Sequence, residues 1–162
     1  MFKMKYNRKQ IEERFMKKDK MKFLFFWGHQ PSKDGSTTKS CFSQWWPAPF
    51  VIDNITYKTA EHYMMAEKAR LFKDDERLAE ILKVHHPMKA KQLGRQVLGF
   101  QPEIWDEHKY EIVKKANYHK FSQHKELKAF LLNTKERVIV EASPRDRIWG
   151  IGMSENNEKS NN

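Results

Sequence analysis

A single cysteine, Cys41, stands in the 162 residues. One thiol excludes an internal disulfide framework and suits a reducing compartment. No Gly-rich elbow or obvious base partner surrounds it in sequence, so a buried, inert thiol is expected rather than a nucleophile. Long apolar runs are absent as well. The longest near the N-terminus, Phe23 to Trp27, is far too short to span a bilayer. The basic segment before it carries Glu12, Glu13 and Asp19, and no apolar stretch of signal-peptide length follows. A cytoplasmic protein without membrane contact is therefore expected. The seven histidines lack metal-ligand spacing: His85 and His86 are adjacent, and His62 and His108 have no Cys or His at the right interval. A phosphate-binding Gly-rich loop and a dinucleotide fingerprint are also missing. Neither a metal nor a cofactor is expected, and no internal repeat is visible.

What is present is a globular balance, 39% hydrophobic and 32% charged, in a chain long enough for one real core. Aromatics reach 13%, with five Trp and eleven Phe, enough for some rings to do more than pack. The net charge of +10 is uneven. Residues 1–22 hold nine Lys/Arg against three Asp/Glu, a net +6, and the remaining 140 residues carry +4. Such an arm can touch nucleic acid weakly, or an acidic partner. A solvated helix that aids solubility is the plainer reading and the favoured one.

Residues 1–20 read as a charged, frayed helix, and Lys22 to Trp27 as a first buried strand. A polar loop covers 28–40. The segment Cys41 to Phe50 is aromatic and punctuated by proline, so neither helix nor strand is assigned to it. Residues 50–52 and 55–57 read as a hairpin around Asp53-Asn54. Thr59 occupies an N-cap position before a helix running from Ala60 to Phe72. Further helices are expected from Asp75 to Leu82, from Pro87 through Val97, from Pro102 to about Lys120, and from Glu126 to Leu132. A last strand follows over Arg137 to Glu141. Strands, then helices, then a strand argue an α+β, mainly helical single domain with a few short strands. The chain thus divides into a basic N-terminal extension at 1–21, a domain at 22–153, and a polar tail at 154–162 expected to be disordered as it stands.

Several residues carry candidate chemistry. Glu61 falls in the first turn of its helix, where the dipole and free N–H groups favour a carboxylate. Such a carboxylate can stabilise a developing cation or orient a water; helices also place acids there for dipole reasons alone. Lys68, seven residues on, shares its face. Trp105 lies on an apolar helix stripe and reads as core, though a Trp can also stack on a flat base. Gly94 is expected inside a helix, at a cost of about 1 kcal/mol against Ala, which close packing or a ligand would explain. Arg95 beside it can grip a phosphate. Asp146, Trp149, Gly150 and Gly152 cluster in the loop after the last strand, where glycine lets backbone approach a ligand.

These segments, in this order, resemble the NADAR (YbiA-like) family. The resembling pieces are Phe42 to Phe50 with Trp45 and Trp46, Tyr57 to Tyr63 with Lys68 beyond, Lys91 to Arg95, Trp105, Lys120-Phe121, and Glu141 to Asp146 leading to Trp149–Gly152. No single piece is decisive; their ordered spacing from about Phe23 to Gly152 is what makes the match specific. The resemblance implies a mostly helical fold and N-glycosidase activity without a cofactor. It implies hydrolysis of the ribosyl–amine bond in phosphorylated intermediates of riboflavin synthesis. Similar proteins remove ADP-ribose from guanine bases, and a small phosphorylated ribosyl or ADP-ribosyl substrate is the shared expectation. By that resemblance Glu61, Asp146 and Trp105 are the catalytic candidates. Trp45, Trp46, Lys68, Gly94, Arg95, Trp149, Gly150 and Gly152 are the substrate-binding candidates. Family members continue past Trp-Gly-x-Gly into a final apolar helix, which this chain is expected to lack. The competing readings are an ADP-ribosyl-guanine hydrolase, an inactive truncated nucleotide-binding paralogue, and a non-catalytic module for nucleotides or RNA.

Overall fold

Asp53 and Asn54 adopt φ of +50° and +62°, the left-handed pair that a tight hairpin turn requires. They join two of the four strands in a computed structural model that describes residues 7–161. The elements are α1 Arg8–Met16, β1 Phe23–Phe26, β2 Phe50–Ile52, β3 Ile55–Tyr57, α2 Ala60–Leu71, α3 Asp75–Lys83, α4 Pro87–Gly94, α5 Pro102–Gln123, α6 Lys125–Leu132 and β4 Val138–Glu141. The fold is mainly helical α+β. Two compact units divide the chain: a middle unit, Gly28–Leu131, and a terminal unit, Met1–Trp27 with Leu132–Asn162.

In the middle unit α2 is the hub, packed by α3, α4 and α5. Eight of its twelve residues are buried, and only Glu67, Lys68, Arg70 and Leu71 stay partly open, unlike an ordinary surface helix. Ala60, Ala66 and Ala69 are fully buried and let neighbouring helices approach closely. Gly94 explains itself here. A Cβ on it would lie 2.0 Å from Met65 Sδ on α2. The helix expected through Val97 ends at Gly94, with Arg95 as its C-cap, so Gly94 closes a helix rather than interrupting one. Three side chains from distant segments fasten the unit. Lys58 Nζ donates to the carbonyls of Leu82, Lys83 and Val84 at 3.4, 2.9 and 2.6 Å, covering groups that the end of α3 leaves open. Gln123 satisfies both backbone groups of Val51 on the β2 edge, at 2.8 Å each. Lys120, fully buried, donates to the carbonyls of Cys41 and Ser43 at 2.6 and 2.7 Å. Burial pushes its amine down to about 7. The segment around Cys41 therefore has a defined shape, a 3-10 turn over Lys39–Phe42, despite its irregular sequence.

In the terminal unit β1 and β4 pair in parallel, with Phe23 opposite Val138 and Phe26 opposite Glu141. The strand expected to be buried is half-buried except at Phe26, because a two-stranded ribbon covers little of either face. The expected N-terminal helix is seen as α1, capped by a reciprocal Asn7–Gln10 capping box; residues 1–6 lie outside the described residues. The tail expected to be disordered contains a 3-10 turn at Glu158–Asn161, with Ser160 Oγ donating to Asn157 O at 2.7 Å.

Candidate active site

The hairpin delivers the chain directly into α2. Strand β3 ends at Tyr57, and Thr59 caps the helix by accepting from the His62 amide at 3.4 Å. Glu61 is thereby set in the first turn, where the helix field favours negative charge. It is 2% exposed. Its backbone amide donates to Gln44 O at 3.0 Å, which ties the helix start to the aromatic segment. That segment is itself held from α5, where Gln44 and Asn117 exchange amide hydrogen bonds of 3.2 and 3.3 Å. Next to Glu61, His62 Nδ1 lies 2.8 Å from Thr59 Oγ1. Burial and the nearby Lys58 charge hold the imidazole down to about 4, so it is neutral at physiological pH.

Two turns along α2, the half-buried Lys68 amine sits 3.9 Å from the Phe100 ring centroid and 5.7 Å from that of Trp105. Burial, and then the neighbouring Arg95, lower its pKa. Among the described residues neither Lys68 nor Arg95 has a carboxylate partner. Lys68 and Trp105 are thus brought together, with the Arg95 charge near enough to act on Lys68. Trp105 is half-buried, not the core residue its stripe implies. Phe100 was not expected; its place after Gly99 in a loop gives no periodic signal.

Trp45 forms a second cluster. It is half-buried, with His29 and His86 at ring distances of 5.3 and 6.4 Å and Lys91 Nζ 5.8 Å from its centroid. Neither histidine was singled out from sequence, since each lies in a separate loop. Trp46, by contrast, is buried at 6% exposure. Cys41 is fully buried, and desolvation raises its thiol to about 11, so it is not a nucleophile at neutral pH.

The remaining candidates belong to the terminal unit. Asp146 Oδ1 accepts from the amides of Ile148 and Trp149 at 2.8 and 2.9 Å, and its carbonyl accepts from Gly152 at 2.9 Å. The carboxylate therefore shapes the loop that carries the other three. Gly150 allows a close approach, for a Cβ there would meet the carbonyls of Asp146 and Glu141 at 3.0 Å. Gly152 has φ +70°, which favours glycine. Trp149 and Gly150 border a cavity of about 1040 Å³ lined entirely by residues of the terminal unit. Among the described residues no three His, Cys, Asp or Glu side chains are grouped to hold a metal, and no helix is long and apolar enough to cross a membrane.

The middle unit thus holds a buried carboxylate at a helix start and two cation–aromatic clusters, around Lys68 and around Trp45. Residues 25–162 match the NADAR domain, and the chain belongs to the NADAR family. It is 44% identical over 138 residues to N-glycosidase R617 of Acanthamoeba polyphaga mimivirus, covering 82% of this chain and 79% of that one. It is 37% identical over 113 residues to N-glycosidase YbiA of Escherichia coli K12, covering 70% and 67%. The solution NMR structure of the E. coli protein YbiA superposes with a TM-score of 0.68 at 33% identity, over 81% of this chain and 73% of that one. These named relatives are N-glycosidases, hydrolases of N-glycosyl bonds.

Proposed function

We propose that the chain hydrolyses the ribosyl C1–N bond of a phosphorylated ribosylamino-pyrimidine intermediate of riboflavin biosynthesis. The observation that carries this reading is Lys68, on the helix that also bears Glu61, held beside Trp105 of α5 with the Arg95 charge near enough to lower its pKa, neither cation having a carboxylate partner among the described residues. Neighbouring cations that repel one another make a ready phosphate site. Trp105 offers a face for the planar base. In the reaction the C1–N bond breaks with its electron pair going to the leaving nitrogen, and the ribosyl ring gains oxocarbenium character. Glu61 stabilises that cation. A water oxygen then bonds to C1. Its proton passes to Glu61 and ends on the departing nitrogen, leaving a ribose phosphate and a free amine.

Asp146 is assigned the orienting of water or ribose. Contacts to substrate are assigned to Trp45, Trp46, Gly94, Trp149, Gly150 and Gly152, on the strength of the family motif. A second reading, hydrolysis of ADP-ribosyl-guanine in nucleic acid, keeps Glu61 and is favoured by the net +6 of residues 1–22. Product analysis separates them: ribosylamino-pyrimidine phosphate yields ribose phosphate, and ADP-ribosylated oligonucleotide yields ADP-ribose. Turnover of either substrate that survives Glu61→Gln near the wild-type rate, with circular dichroism unchanged, sinks the mechanism.

A further inference from the structure

The charge of the terminal unit is concentrated in its first 22 residues, since residues 132–162 hold five Lys/Arg and five Asp/Glu. The fold gathers part of that charge. After α1 the chain turns at Lys18, φ +58°, and the turn is closed by Lys18 N to Phe15 O at 2.9 Å and Asp19 N to Arg14 O at 3.0 Å. Lys22 O then accepts from Val138 N at 2.9 Å, which lays residues 20–22 alongside 135–138. The opposite wall is fixed in its own way. Arg137 donates to the carbonyls of Thr134 and Asn133 at 3.1 Å each.

Between the two walls lies a cavity of about 720 Å³ lined by Arg14, Lys20, Lys22, Lys135 and Arg137, with Glu136 as its one carboxylate. Arg14 pairs with Asp19 at 3.2 Å. Lys20, Lys22 and Lys135 have no ion-pair partner among the described residues. Like charges held together without counter-charge destabilise a fold through self-repulsion unless an anion relieves it. An anion entering the cleft would relieve the repulsion among Lys20, Lys22 and Lys135.

We propose that this cleft binds the phosphodiester backbone of a nucleic-acid strand. Its cations line a concavity, which a strand of phosphates can enter and the surface of a bilayer cannot. Basic membrane-surface helices carry a broad apolar face, whereas α1 has only Ile11, Phe15 and Met16 as apolar residues. The cleft's arm residues lie before the segment that matches the NADAR domain, and its other wall, residues 133–138, lies within it. Binding at the cleft stands apart from the catalytic reading.

The test is fluorescence anisotropy of the full chain with a mixed-sequence single-stranded oligonucleotide. Five cation–phosphate contacts give a slope of log K against log salt of about −3.5, at about −0.7 per contact on a single strand. Reversing Lys20, Lys22 and Lys135 to Glu removes about 2 from that slope and weakens binding more than tenfold at low salt. The neutral Lys→Gln triple, a milder change for folding, gives the same direction. Reversing the exposed Lys114, Lys125 and Lys128 of the middle unit leaves the slope unchanged. Glu61→Gln keeps full binding, so loss of catalysis and loss of the cleft are read separately. No binding by the wild-type chain overturns the proposal. So does a slope equal in the cleft and control variants, or tighter binding to phosphatidylserine vesicles than to the oligonucleotide.

Discussion

Glu61 and Asp146 are both carboxylates in short motifs, and the chain sets them differently. Asp146 is placed by bonds to amides within three residues of it, and it determines the path of its own loop. Glu61 is placed by a helix that begins at a capped turn and is then wrapped by α3, α4 and α5. The first carboxylate acts on backbone nearby. The second is buried by segments from far along the chain and lies on the helix that carries Lys68 toward Trp105 and Phe100. A motif acid that organises its own turn and one that other elements bury answer differently to substitution.

The largest effect that contrast predicts is on turnover. Glu61→Gln lowers the rate of N-glycosyl hydrolysis by about 10²–10³-fold, with helical circular dichroism intact. If Asp146→Asn lost more than Glu61→Gln in the same assay, the contrast would be reversed. The next effect is on stability against pH at the start of α2. His62 is held down to about 4 in the fold, against an ordinary 6.5. The unfolded chain then takes up a proton that the native chain refuses, so stability falls as pH drops from about 6.5 to about 4 and rises on return. The full swing is about 3 kcal/mol. Urea unfolding across that window shows this slope in the wild type, and His62→Gln loses it.

A smaller effect tests the wrapping. Gly94→Ala drives a methyl into Met65 and costs about 1–3 kcal/mol. In the double variant with Met65→Ala the two changes are non-additive, because the second removes the atom that the first strikes. Additive losses by thermal unfolding would separate α4 from α2. The smallest effect falls on the loop. Asp146→Ala costs about 1 kcal/mol and speeds hydrogen exchange at the Ile148 and Trp149 amides, whereas Asp146→Asn, which keeps an acceptor oxygen, leaves exchange slow.

Legibility followed range. The Asp53-Asn54 turn, the Thr59 cap and the Pro87 and Pro102 helix starts are read within a few residues, and the structure has all of them. Spacing predicts a helix through Val97, whereas α4 ends at Gly94 with Arg95 as its C-cap, and the Gly94 contact with Met65 on α2 is a tertiary feature that spacing does not reveal. Trp105 read as core from its stripe, yet a 22-residue helix extends beyond the elements that cover it, so its early turns stay partly open. Lys120 drew notice only as part of a family motif. A lysine in a helix reads as solvent-facing, and only the folded chain surrounds it with the carbonyls of Cys41 and Ser43.

By itself the sequence determined the mainly helical α+β pattern, the first-turn position of Glu61 and membership of an enzyme family. Caps, turns and periodicity act locally, and ordered motifs survive as text. Tertiary structure alone decided that α2 is mostly buried and that Lys68 lies beside Phe100 and Trp105, within reach of the Arg95 charge. It also decided that the N-terminal arm shares a cleft with Lys135 and Arg137. The last two join residues separated by roughly 25 to 120 positions, and proximity across such distances exists only once the chain has closed its loops.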